Sequence, residues 1–88
     1  TSAGRTRVVG VDYMKDGEVV RAKAKEETIV SLGAFGSPKF LQLSGIGPQS
    51  LLNSLNINVV KNLSGVGKNL HDHFFTFFVF LNPLGTPV

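Results

Sequence analysis

The chain has 88 residues, of which 42% are hydrophobic and 17% charged, with a net charge of +3. That length admits one domain at most with a modest core, and so few charges among so many apolar residues exclude a disordered chain. Cysteine is absent, which excludes disulfides and thiolate metal sites.

The basic residues Arg5 and Arg7, then Arg21, Lys23 and Lys25, lie at strand spacing without interleaved aromatics. They read as a solvated strand face, so no nucleic-acid partner is expected. Asp16-Gly17 separates two extended alternating runs and predicts a two-residue hairpin turn. Pairing Lys15 with Glu18 sets Tyr13 opposite Val20, Val11 opposite Ala22 and Val9 opposite Ala24 on one apolar face. The other face then carries Asp12 opposite Arg21 and Met14 opposite Val19, and a slip by one residue would mix the two.

After the polar break Lys25-Glu26-Glu27, residues 28–32 read as a short buried strand ending at Gly33. Ser37 is a good N-cap and Pro38 a good first helical residue, so a helix is expected from there to Gly45 or Gly47. A second helix from Pro48 would bury Leu51, Leu52 and Leu55 and close at Asn56. Residues 57–60 read as a strand, 62–71 as a loop, and 74–80 as a last strand ending at Asn82-Pro83. The apolar cluster from Phe74 to Leu81 is broken by Thr76 and falls short of the roughly 18 residues that span a bilayer.

Gly33-Ala34-Phe35-Gly36 followed by Ser37-Pro38 makes a strand–turn–helix unit. Such units present backbone N–H groups and a helix N-terminus to anions and cofactors, and small residues allow close approach. The stretch from Gly33 through Ser37-Pro38, Leu41 and Ser44-Gly45-Ile46-Gly47 closely resembles the second signature of the glucose–methanol–choline (GMC) oxidoreductases. Gly65-Val66-Gly67-Lys68-Asn69-Leu70-His71-Asp72-His73 is similar to a further block of that family. Two departures stand out: Phe40 where the family usually has an aliphatic residue, and Leu32 where many members have alanine.

The resemblance implies an α+β fragment of an FAD/NAD(P)-binding α/β fold, with residues 1–73 in the FAD-binding domain and 74–88 opening the substrate-side sheet. It implies a parent enzyme that binds FAD and an alcohol and passes a hydride from the alcohol carbon to the flavin. Gly33, Ala34 and Ser37 are the cofactor-binding candidates. The start at Thr1-Ser2 and the end at Pro87-Val88 read as a cut-out segment without a signal peptide. It lacks the family's pyrophosphate fingerprint and its downstream catalytic histidine, so the fragment alone is expected to be inactive. The alternative is a small non-enzymatic module whose hairpin and two helices present an apolar surface to a partner.

Four further motifs carry less. Gly65-Val66-Gly67 begins like a dinucleotide fingerprint, but position 70 is leucine. His71 and His73 share a strand face, yet a metal needs further protein ligands and the chain has no other histidine or cysteine. Asn69 and Asp72 suit backbone turning and capping, and Asn62-Leu63-Ser64 is a glycosylation sequon that gives no localisation.

Overall fold

β1 (Gly10–Lys15) and β2 (Glu18–Lys23) form an antiparallel hairpin in a computed structural model that describes residues 5–83 and 85. Its register is the one the sequence predicts, from Lys15↔Glu18 through Tyr13↔Val20 to Val11↔Ala22. Beyond the strand ends, the Ala24 N–H donates to the Val9 carbonyl at 2.9 Å. Asp16 and Gly17 both take positive φ (50° and 81°), as a type I′ turn requires to match the strand twist. On the polar face the Arg21 guanidinium grips both carboxylate oxygens of Asp12 at 2.6 and 2.7 Å. The hydrogen bond from Arg21 holds the Asp12 carboxyl below its ordinary range.

Helix α1 (Gly33–Leu43) starts five residues earlier than the Ser37-Pro38 signal predicts. Its N-cap is Leu32, without a side-chain cap, and Pro38 lies inside the helix, where it cannot donate to the Ala34 carbonyl. The Ser37 Oγ, inside the helix, accepts the Leu32 N–H at 3.0 Å. Ser37 is therefore not the N-cap that the sequence suggests, and Pro38 is not the first helical residue. At the other end Ser44 is the C-cap, and the Gly45 N–H returns to the Gln42 carbonyl at 2.9 Å.

β3 (Ile46–Gly47), α2 (Gln49–Ser54) and β4 (Lys61–Asn62) make a small crossover in which the two strands pair in parallel, Ile46 with Lys61 and Gly47 with Asn62. The strand expected at 57–60 thus lies slightly later, where Val60 and Lys61 N–H groups meet the Gly45 carbonyl and the Leu63 N–H meets that of Gly47. Asn56 closes α2 at φ 55°; its N–H bonds to the Asn53 carbonyl and the Ile57 N–H to that of Leu52. Leu52 is fully buried, whereas Leu51 and Leu55, expected beside it in the core, are exposed.

Two expected strands do not form. Residues 28–32 join no sheet, and Ile29 and Leu32 are exposed. Residues 74–80 join none either, with Phe74 97% exposed. Both runs have strand composition, but a strand needs a neighbour's backbone groups, and none of the four strands described offers them. The Cα radius of gyration is 21.8 Å, against about 12 Å for a compact chain of this size. The apolar positions of the sequence are therefore laid out but not enclosed.

Candidate functional site

The start of α1 and the loop at 65–70 come together although they are far apart in sequence. They line an open cleft of about 260 Å³ with Ala34, Pro38, Lys39, Gln42, Gly67 and Lys68 among its walls. Each part is built locally. Gly33 holds φ 82° at the first position of α1, a conformation that costs an L-residue with a Cβ about 1–2 kcal/mol. Space does not demand glycine there, since a Cβ at 33 would meet nothing within 4 Å. The first N–H groups of a helix have no intrahelical partner, and from this first turn Ala34 and Phe35 line the cleft.

The facing loop is shaped by two successive turns, with the Val66 N–H on the Leu63 carbonyl at 3.2 Å and the Lys68 N–H on that of Gly65 at 3.1 Å. It is tied to α1 by Gln42, whose Nε2 donates to the Val66 carbonyl at 3.2 Å. Lys39 and Lys68 line the cleft and no acidic side chain does, among the described residues. Two lysines in a cleft that runs along α1 from its first turn suit an anionic or strongly polar ligand.

The sequence-predicted residues separate in this setting. Ala34 lines the cleft, Gly33 shapes the backbone beside it, and Ser37 is engaged with the Leu32 N–H. Leu32 is accommodated by Gly36, where a Cβ would come within 2.8 Å of the Leu32 Cβ. Phe40 is half-buried and lines the second, larger groove of about 530 Å³ between the hairpin and the C-terminal half of α1. That groove includes none of residues 33–37 or 65–70. Thr28 faces it with a buried Oγ1 that has no hydrogen-bond partner.

His71 and His73 are exposed, and no group of three or more metal-ligating side chains is assembled among the described residues. Asp72 accepts the His73 N–H at 2.7 Å, and Asn69 takes φ 57°, so both act on the backbone. Among the described residues no helix is long and apolar enough to cross a membrane. Sequence reasoning missed Gln42, Lys39 and Lys68 as cleft residues. Lys39 and Gln42, three apart on one helix face, were the available signal.

Comparison with known proteins agrees with the segment-by-segment resemblance. The family model described as GMC oxidoreductase matches residues 2–75. The oxygen-dependent choline dehydrogenase of Pseudomonas fluorescens is 55% identical over 69 residues, covering 76% of this chain and 12% of the relative. The mitochondrial choline dehydrogenase of Homo sapiens is 54% identical over 68 residues, covering 77% of this chain and 11% of that protein. The oxygen-dependent choline dehydrogenase of Pectobacterium atrosepticum is 51% identical over 67 residues. The chain thus spans about 12% of the length of the curated relatives it matches, and no solved structure matches it. Nothing in these likenesses supports the small non-enzymatic module. The chain belongs to the GMC oxidoreductase family, as an α+β part of its FAD-binding N-terminal region.

Proposed function

We propose that the chain is an internal segment of an FAD-dependent enzyme that oxidises an alcohol, and that it forms one wall of the cofactor site. Residues 1–73 then belong to the FAD-binding domain, and residues 74–88 open the substrate-side sheet. The observation that carries this reading is the cleft that unites Ala34 with Gly67 between Lys39 and Lys68. Its residues fit the cofactor: the first turn of α1 offers backbone donors beside Ala34, Phe35 adds an apolar ring to the cleft, and the lysines offset anionic charge. When bound, FAD supplies the hydride acceptor for the alcohol carbon.

This chain's own part is binding and orientation. Gly33 and Ala34 leave the α1 N-terminus approachable, and Ser37 braces the turn that presents it. Neither histidine is assigned a proton-transfer role, since neither lines the cleft. The relatives are named for choline, so choline is the first alcohol to assay. The test is to purify the parent protein, release its flavin by denaturation and measure choline-dependent reduction of an artificial acceptor. FAD near one per polypeptide with alcohol-dependent turnover is expected. A parent that carries no flavin overturns the reading.

A further inference from the structure

Gln42 sits on α1 and reaches a loop 24 residues away, where Nε2 donates to the Val66 carbonyl at 3.2 Å. Among the described residues no other side-chain hydrogen bond joins α1 to the 65–70 loop. The side chain is enclosed by two glycines from different elements. A Cβ at Gly47 would come within 3.0 Å of the Gln42 Cγ, and one at Gly67 within 2.7 Å of its Nε2. Gly47 is buried and Gln42 half-buried, so the side chain is held rather than free in solvent. It also lines the cleft between Ala34 and Gly67.

We propose that Gln42 is a positioning residue for the cofactor, fixing the 65–70 loop at the spacing from the α1 N-terminus that the flavin nucleotide requires. This rests on the assignment of the cleft to FAD. The glycines at 47 and 67 leave room for a long side chain, and the amide joins the loop to the helix through a neutral donor. A carboxylate of the same shape would put two acceptors together at Val66 and lie near Lys39 and Lys68, either of which could draw it away.

The experiment uses the purified full-length holoenzyme and its apo form, with Gln42→Met and Gln42→Glu as variants and Ser54→Ala on α2 as a control. The Kd for FAD, the visible-region circular dichroism of the bound flavin and the unfolding midpoint of the apo protein are measured together. Loss of this hydrogen bond is expected to raise the Kd for Gln42→Met by about five- to tenfold. Gln42→Glu should lose more, and the flavin dichroism should change in both while the apo midpoint stays near that of the wild type. Wild-type Kd and dichroism in both variants would overturn the proposal. So would loss of the fold itself in both, which would make Gln42 purely structural. A wild-type parent without FAD would instead overturn the cofactor assignment on which it rests.

Discussion

Asn62 Oδ1 accepts the Gln49 N–H at 3.1 Å, so the first turn of α2 is capped by a side chain from β4. The helix's own N-cap, Pro48, provides no side-chain cap. One amide therefore satisfies an orphan helix donor and fastens β4 to α2. Asn62→Ala in the parent should lower stability by about 1 kcal/mol. Asn62→Asp, which keeps the acceptor, should cost less. Denaturant midpoints for the two variants test this, and equal values would remove Asn62 from the capping role.

Leu52 is the only fully buried side chain among the described residues. Leu52→Ala should cost about 2–5 kcal/mol, as deletion of buried leucine methyls does elsewhere. Leu55, 56% exposed, should lose much less on the same change. Equivalent losses at both positions would mean that surfaces outside this chain bury Leu55.

The apolar and polar faces of the hairpin were legible because strand side chains alternate and only one register aligns Tyr13 with Val20 and Asp12 with Arg21. The closing of α2 at Asn56 was legible for a local reason too, since asparagine tolerates positive φ. The start of α1 was not, because Ser37-Pro38 is a standard helix opening and nothing local reveals that the helix already begins at Gly33, with Ser37 Oγ accepting the Leu32 N–H. Residues 28–32 and 74–80 have strand composition, but pairing depends on a neighbour that a local pattern does not specify. Gly33 and Ala34 were readable as candidates from the small-residue turn. The partnership of Gln42 with Val66 was not, because a contact over that separation leaves no periodic trace.

The ion pair on the hairpin gives a pH dependence of known sign. The hydrogen bond from Arg21 lowers the Asp12 pKa, so the folded state favours the ionised carboxylate. Its stabilisation is present above the unfolded-state value near 3.8 and is lost as pH falls through the lowered folded value. Asp12→Asn should flatten the acid limb of the stability curve and leave neutral pH little changed, because both partners are exposed. A large loss at neutral pH would contradict this.

The isolated 88-residue chain should neither take up FAD nor oxidise an alcohol. Its cleft is open on one side, and the exposed runs at 28–32 and 74–80 lack the neighbours that would order them. Fluorescence titration of the purified chain with FAD checks this directly. Saturable micromolar binding would show that the cleft is complete without other parts of the parent.

The claim that the α1 N-terminus forms a wall of the FAD site is tested most directly by the flavin content of two parent variants. Gly33→Val forces a β-branched residue to φ 82°, at a cost of about 1–2 kcal/mol, beside the turn that presents the helix donors. His71→Ala alters an exposed loop side chain, where substitutions usually change stability by less than about 0.5 kcal/mol. FAD bound per purified polypeptide should fall clearly in Gly33→Val and stay near the wild-type value in His71→Ala. Full flavin in Gly33→Val with loss in His71→Ala would contradict the assignment of the α1 N-terminus and leave the cofactor wall to the second segment, residues 65–73, alone.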